Sequence, residues 1–304
     1  MRGKCILVSM LLTLVLVGTL SCQPSTRDSR KSIVVTYSVL GSLVKELVGD
    51  KAAVTVSVPN GVDPHDWEPS AKDIEAINKA DLVIQNGLGL EGGLEKTLET
   101  ARNKGAKFFT ASDHIMVRHV GPGEGIPSGD PDQVVGASDP HLWMDPIAMK
   151  SVVSALAPEL MRELGLDVAN QAADLANRLD SLNKEVANIV AAIPQGNRKL
   201  VTGHESMGYF AQRYGFKLVG VIIPSLSTQA QVSAGDLAAL KKAIQVNQVK
   251  AIFTELGTSP AVARAIGDET GVKVVELTAA ALPIDGSYFT FLRDIAGVIA
   301  EALK

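Results

Sequence analysis

The sequence predicts an α/β protein with two lobes, each a parallel sheet with flanking helices, bridged by a long rigid helix. Short β-branched segments alternate with helical stretches twice along the chain, and this alternation is typical of parallel sheets. The two alternating regions are separated by a segment without any strand signal, residues 146–194. About 270 residues follow the N-terminal segment, which is enough for two lobes of ordinary size.

The strands and helices of each lobe are predicted from β-branched runs and helical spacing. In the N-terminal lobe, residues 32–145, strands are expected at 33–36, 54–58, 82–85 and 107–110, with helices at 43–48, 71–78 and 94–103. In the C-terminal lobe, residues 195–304, strands are expected at 199–202, 217–221, 251–254 and 272–277, with helices at 208–214, 234–246 and 260–270.

The connection between the lobes is predicted to hold two helices. The first begins at Asp145-Pro146, because proline fits the first helical position, and runs to about residue 164. The second is predicted over 168–193. Its apolar residues recur near helical spacing: Ala172, Leu175, Leu179, Leu182, Val186, Ile189 and Val190. At ~1.5 Å per residue it is roughly 35–40 Å long, so it would join the lobes stiffly. Two separate surface helices are the alternative.

The N-terminus is typical of a secreted lipoprotein. Residues 1–22 have basic residues, then an apolar run that is too short for a membrane span, then small residues. Leu20-Ser21-Cys22 resembles a lipoprotein cleavage box, although Thr19 stands where leucine is more usual. Cys22 would then be the lipidated N-terminus, followed by a flexible tether, residues 23–31. A plain signal peptide or an uncleaved anchor is the alternative.

Two matching Asp-Pro-His segments predict a metal site. They are Asp63-Pro-His65-Asp-Trp67 and Asp139-Pro-His141-Leu-Trp143. Proline restricts the backbone beside each histidine, and imidazole is the commonest neutral-pH metal ligand. A third histidine, His204, lies just past a predicted strand, where open α/β sheets place their ligands. Because the chain has only five histidines, three of them at strand ends favour a metal in the inter-lobe cleft. The alternative for each of these histidines is a structural role, in which the ring is hydrogen-bonded within a turn or the core.

The chain resembles the zinc/manganese-binding solute-receptor lipoproteins of ABC metal importers, the cluster 9 family. The likeness rests on both Asp-Pro-His segments, on Val201-Thr-Gly-His204 through Tyr214-Gly215, and on Ala251-Ile-Phe-Thr-Glu255 and Gly286-Ser-Tyr288. The resemblance implies two α/β lobes bridged by a rigid helix with metal in the cleft. It also implies that His65, His141 and His204 are the first three ligands.

The fourth ligand is where the sequence departs from that family. Its members commonly place an aspartate just after the last strand, but residues 277–283 contain no carboxylate. Asp285, in the same loop, is the favoured candidate, with Glu276 or water as alternatives. Glu255 ends its own strand and is interpreted either as an acceptor that orients a ligand histidine or as a structural hydrogen-bond partner.

Three imidazoles with at most one oxygen suit tetrahedral zinc, whereas manganese prefers more oxygen ligands. Zn(II) is therefore the favoured metal and Mn(II) the alternative, with iron, nickel and copper remaining open. His114 and His119 precede a region rich in Gly, Pro and Asp. They are interpreted as solvated loop residues, with auxiliary metal collection as the alternative.

The expected function is an extracytoplasmic, lipid-anchored receptor that delivers metal to an ABC permease. A monomer is expected. A zinc hydrolase and an adhesin-type lipoprotein are alternatives, but Glu205 is the single candidate for a general base and no adhesive repeat is found. The formal net charge of −4 and the absence of basic clusters argue against nucleic acid as a partner.

Overall fold

A parallel sheet forms the first lobe in this computed structural model, which describes residues 30–122, 124 and 134–304. Strands β1 to β4 lie at Lys31–Tyr37, Ala52–Val58, Leu82–Gln85 and Phe108–Thr110, in the order β2-β1-β3-β4. Helices α1 to α3 lie at Ser38–Val48, Ala71–Lys79 and Glu95–Asn103. All three strand pairings are parallel, and the second half of β1 is buried throughout because it is a central strand.

The connection consists of two helices, α4 at Pro146–Leu164 and α5 at Ala169–Ala191. The Asp145 carboxylate accepts the Ile147 N–H at 2.8 Å, which caps α4 as the Asp-Pro pair predicts. α5 packs against α4 and also against α1. Six of the seven apolar positions predicted on α5 are buried, and the seventh, Ile189, is half-buried. α5 therefore packs one face against other helices and leaves its opposite face exposed.

The second lobe repeats the strand–helix alternation. Its strands are β5 (Lys199–Thr202), β6 (Lys217–Val221), β7 (Ala251–Thr254) and β8 (Lys273–Glu276). Its helices are α6 (Gly208–Tyr214), α7 (Ala234–Asn247) and α8 (Pro260–Thr270). β5 pairs with β6 and β7 with β8, both in parallel, while β5 and β7 lie side by side. The carboxyl ends of all four strands thus lie on one edge of the lobe.

The chain ends in a helix that the sequence analysis did not predict. α9, Tyr288–Leu303, packs against α5 and α1. Its signals were available, because Ser287 accepts the N–H groups of Phe289 and Thr290 as an N-cap and precedes an apolar run with helical spacing. The C-terminal lobe predicted over 195–304 therefore finishes on a helix that packs on the connection.

α1 begins five residues earlier than predicted, directly after β1. Ser38 and Gly41 are poor helix formers, so the local signal starts only at Leu43. Packing explains the glycine, because a Cβ at Gly41 would lie 2.6 Å from Val56 Cγ2 on β2. Close contact between helix and sheet outweighs local propensity here.

The predicted signal segment, residues 1–22, and most of the predicted tether lie outside the described residues. β1 begins at Lys31, the last residue assigned to that tether. Within 30–122, 124 and 134–304, none of the helices combines the length and the apolar character that crossing a bilayer requires.

Candidate metal centre

Three histidines from three different loops meet between the lobes. His65 follows β2, His141 precedes α4, and His204 follows β5. The Nε2 atoms of His65 and His141 are 3.3 Å apart, and those of His141 and His204 are 3.1 Å apart. One ring nitrogen from each of the three histidines lies within 4.8 Å of the other two. The side chains are buried, with His65 4%, His141 1% and His204 5% exposed. Three imidazoles facing one point can hold a single ion.

The two Asp-Pro-His segments fold into the same local turn. Asp63 Oδ1 accepts the His65 N–H at 2.9 Å, and Asp139 Oδ1 accepts the His141 N–H at 2.9 Å. Such side-chain-to-backbone bonds two residues along are the usual Asx turn. The first residue of each segment therefore fixes the backbone of its histidine, a role that the sequence analysis did not assign to either aspartate.

Asp139 also orients the His141 ring. Its Oδ1 lies 2.9 Å from His141 Nδ1, so Nδ1 donates and leaves Nε2 free to bind a metal. Arg118 donates to Asp139 Oδ2 at 3.0 Å, and Arg118 itself also contacts Glu124. A cation in the same lobe thus holds this buried carboxylate in place.

Glu255 lies at the end of β7, beside His204. Its Oε1 accepts the His204 N–H at 3.0 Å, and its Oε2 accepts the Ser206 hydroxyl at 2.6 Å. His204 Nδ1 is 3.1 Å from Oε1, a close contact that is not aligned as a hydrogen bond. Glu255 therefore contacts both the backbone and the ring of His204. These contacts are compatible with a structural hydrogen-bond role and with a role in orienting the ring.

The approach of Glu255 to His204 requires a glycine. A Cβ at Gly203 would overlap Thr258 Oγ1 and would lie 2.8 Å from Glu255 Cγ. Any other residue at this position would push the loop after β7 away from the loop that carries His204.

The histidine pKa values differ according to their neighbours. Burial, and then the nearby His141 and His204, hold the pKa of His65 well below its ordinary value. Burial also lowers the pKa of His141, although Asp139 opposes the shift. Burial acts in the same direction on His204, but Glu255 outweighs it and the pKa of His204 is raised. His65 and His141 are therefore neutral near pH 7, the form that ligates.

The structure does not bring Asp285 or Glu276 to the histidines. Asp285 lies in the exposed loop before α9, where its carboxylate accepts the Ser287 N–H at 2.9 Å and the Thr290 hydroxyl at 2.7 Å. Glu276 is exposed at the end of β8 and lines a neighbouring pocket. In this structure the Asp285 carboxylate binds groups at the start of α9, so Asp285 as the fourth ligand stays a prediction that this geometry does not support.

The pocket around the histidines has a cavity volume of only about 10 Å³, the size of one ion or water. Two carboxylates line it, Asp63 and Glu255, and both are engaged in the hydrogen bonds already described. No further Cys, Asp or Glu of the described residues joins the three histidines as a ligand group.

The remaining candidate residues lie elsewhere or outside the described residues. His114 stacks on Phe109 with ring centroids 4.5 Å apart, and His119 Nδ1 is 3.1 Å from the Gly136 carbonyl. Glu205 is buried, and its N–H donates to the Ser225 carbonyl at 3.0 Å. Cys22, the predicted lipidation site, is outside the described residues.

The Asp139→Asn variant is expected to bind zinc about 10–100-fold more weakly, the usual cost of losing an outer carboxylate. An amide at this position loses the charge that pairs with Arg118 and presents a donor as well as an acceptor to His141. A competition titration against a chromogenic chelator measures the change. Asp167→Asn, a matched change near the N-terminus of α5, should leave affinity unaltered; an Asp139→Asn protein with wild-type affinity would refute the orienting role.

Comparison with known proteins places this architecture in a family. The model of the family described as "Zinc-uptake complex component A periplasmic", ZnuA, matches residues 33–302. The chain belongs to this family. The resemblance inferred from the sequence is thereby confirmed for nearly the whole of the described chain.

Some relatives of this ZnuA-family chain are named as manganese-binding proteins and others as zinc-binding proteins. The manganese-binding lipoprotein MntA of Halalkalibacterium halodurans is 26% identical over 261 residues, covering 84% of this chain and 81% of the relative. The zinc-binding lipoprotein AdcA of Streptococcus pneumoniae is 30% identical over 253 residues, covering 81% of this chain but 49% of AdcA. This chain therefore matches about half of AdcA, a longer protein.

Solved structures confirm the fold. A crystal structure of ZnuA matches this ZnuA-family chain with a TM-score of 0.76 at 26% identity, over 90% of this chain and 100% of the other. The periplasmic zinc-binding protein TroA of Treponema pallidum matches with a TM-score of 0.77 at 24% identity, over 90% and 99% of the two chains. The predicted α/β architecture with parallel sheets is thus confirmed.

Proposed function

We propose that this protein is the extracytoplasmic receptor of an ABC importer, which binds Zn(II) and delivers it to a membrane permease. The observation that carries the proposal is the convergence of His65, His141 and His204 on one buried point. Family membership supports it, because the family is one of zinc-uptake components. The three histidines are proposed as the metal ligands, with Glu255 and Asp139 orienting two of them.

We propose zinc rather than manganese as the bound metal because of the ligand atoms that the site offers. Three neutral imidazoles and one open position match tetrahedral zinc, and the engaged carboxylates leave few oxygen donors for manganese. Relatives named for zinc and for manganese both occur, so the relatives alone do not distinguish the metals. We propose a water molecule as the fourth ligand.

The Asp285→Asn variant tests the fourth ligand directly. Because the Asp285 carboxylate accepts the Ser287 N–H and the Thr290 hydroxyl at the start of α9, the substitution should lower the unfolding temperature slightly while zinc affinity stays unchanged. Chelator competition and thermal unfolding measure the two effects. A large loss of affinity without a loss of stability would restore Asp285 as a ligand.

The hydrolase and adhesin alternatives find no support among the contacts of the described residues. A cavity of about 10 Å³ holds an ion but has no room for a substrate beside it. Glu205, the candidate base, is absent from the residues that line the histidine pocket.

The remaining features of the receptor are also proposals. We propose lipid anchoring at Cys22, a tether over 23–31, a monomeric receptor and lobes over 32–145 and 195–304 joined by 146–194. Relatives are named as lipoproteins, which supports the anchor and a location at the outer face of a bacterial membrane.

Zinc uptake by living cells tests whether the protein delivers zinc to a membrane permease. Cells that lack the protein should accumulate little radioactive zinc when external zinc is scarce. The wild-type chain should restore uptake, whereas a His141→Ala chain produced in equal amount should not. Normal uptake with the alanine variant would refute the receptor proposal.

A further inference from the structure

A segment of the second lobe crosses the cleft and contacts the loop that carries His65. This segment, residues 222–233, connects β6 to α7 and is called the crossing segment below. Thr228 Oγ1 donates to Asp63 Oδ2 at 2.7 Å. Gln229 Nε2 donates to the His65 carbonyl at 3.0 Å and to Asp66 Oδ1 at 3.2 Å. Two neighbouring side chains of one lobe thus hold the metal-binding loop of the other.

Asp63 transmits the Thr228 contact to His65. One of its oxygens accepts the His65 N–H and the other accepts the Thr228 hydroxyl. Gly257 permits this close arrangement, because a Cβ there would lie 2.7 Å from Thr228 Cγ2 and 2.8 Å from Asp63 Oδ2. Its φ of 84° also lies in the left-handed region that favours glycine. The contact is therefore built from both lobes.

The two Asp-Pro-His turns differ in what holds their aspartates. Asp139 is fixed by Arg118, a cation of the same lobe that is itself almost fully buried. The outer oxygen of Asp63 instead accepts a neutral hydroxyl from the opposite lobe. His141 is thus oriented within one lobe, whereas the orientation of His65 depends on contact between the lobes.

We propose that Thr228 and Gln229 are positioning residues that hold His65 in its ligating orientation and thereby slow the release of the bound metal. The inference rests on the proposed function, since it concerns how the same three-histidine site keeps its ion. The histidines are buried around a cavity with room for one ion, so release requires one loop to move away. The His65 loop can move away when its hydrogen bonds to Thr228 and Gln229 break, while the Asp139 turn remains fixed by Arg118.

A second cross-cleft contact provides a matched control. Asn60 Nδ2 donates to the Leu282 carbonyl at 2.9 Å, and its Oδ1 accepts the Leu282 N–H at 2.7 Å. This pair joins the loop after β2 to the loop after β8 and contacts neither Asp63 nor His65. Loss of the Asn60 side chain removes two hydrogen bonds between the lobes but none of the hydrogen bonds that hold Asp63 or His65.

The test compares the rates at which purified zinc-loaded proteins lose zinc to excess EDTA in a stopped-flow instrument. The variants are Thr228→Val, Gln229→Leu and the double variant, with Asn60→Ala and the exposed-strand change Thr55→Val as controls. Hydrogen bonds to a charged group contribute enough for Thr228→Val to speed release about tenfold, and the double variant should exceed it. The controls should release zinc at the wild-type rate.

Thr228→Ser keeps the donor and should restore slow release, which a general loss of packing would not predict. The visible spectrum of bound Co(II) should change in the double variant, because the His65 ligand is displaced, and should stay unchanged in Asn60→Ala. Unchanged release in the double variant, or equal acceleration in Asn60→Ala, would overturn the inference. If wild-type protein binds no zinc, the proposed function itself fails, which is a distinguishable result.

Discussion

Replacing His141 by alanine is expected to lower zinc affinity at least about a hundredfold. The Nε2 atom of His141 is the central one, 3.3 Å from that of His65 and 3.1 Å from that of His204. Binding free energies of ~10–16 kcal/mol spread over four ligands amount to about 3 kcal/mol for each. A loss of that size corresponds to a factor of more than about 100 in affinity.

Competition with a chromogenic chelator measures this loss, and His114→Ala is the matched control. His114 stacks on Phe109 and is not part of the ligand group, so its removal should leave affinity within about twofold of wild type. His204→Ala should behave like His141→Ala. Full zinc affinity in either ligand variant would exclude the three-histidine site.

Zinc affinity is expected to fall as the pH falls, in two stages. Protons compete with the metal for Nε2, so affinity declines below the pKa of each ligand histidine in the metal-free protein. Because the pKa of His204 is raised, His204 is the first of the three to be protonated as the pH falls, and affinity then declines about tenfold per pH unit below that pKa. The pKa values of His65 and His141 are lowered, so the steeper second stage begins only below about pH 6.5.

Affinity measured from about pH 8 to about pH 5 tests this profile. The Glu255→Gln variant is the informative comparison, because Glu255 is the group that raises the pKa of His204. In that variant the first stage should move to lower pH, while affinity at high pH drops about 10–100-fold through lost orientation of His204. A wild-type affinity that is constant over this pH range would contradict histidine ligation.

Alternation of strand and helix signals was enough to predict most of the fold. Four strand predictions agree with the structure to the residue, those at 82–85, 199–202, 217–221 and 251–254. Both connection helices were also predicted, because Asp145-Pro146 marks a start and the apolar spacing along α5 is regular. The start of α1 was placed too late because Gly41 is required by packing against β2, which is a tertiary requirement with no local signal.

The convergence of the three histidines was predictable because each follows a rigid local segment. His65 and His141 follow proline, and His204 follows a strand end, so local sequence already aims them. Asp285 stays a prediction, because a carboxylate three residues before the first residue of a helix can either bind groups at the helix start or reach a ligand, and sequence alone does not choose between these roles. The contacts of Thr228 and Gln229 with the His65 loop join residues more than 160 positions apart, so no spacing rule finds them.

Metal titration of the metal-stripped protein tests the central claim most directly. Zn, Mn, Fe and Ni would be compared by stoichiometry and by the rise in unfolding temperature, since a ligand that binds only the native state stabilises it by mass action. The structure predicts one zinc per chain, bound more tightly than manganese and lost in His65→Ala, His141→Ala and His204→Ala. Absence of binding by every metal, or zinc binding that survives loss of all three histidines, would contradict the account.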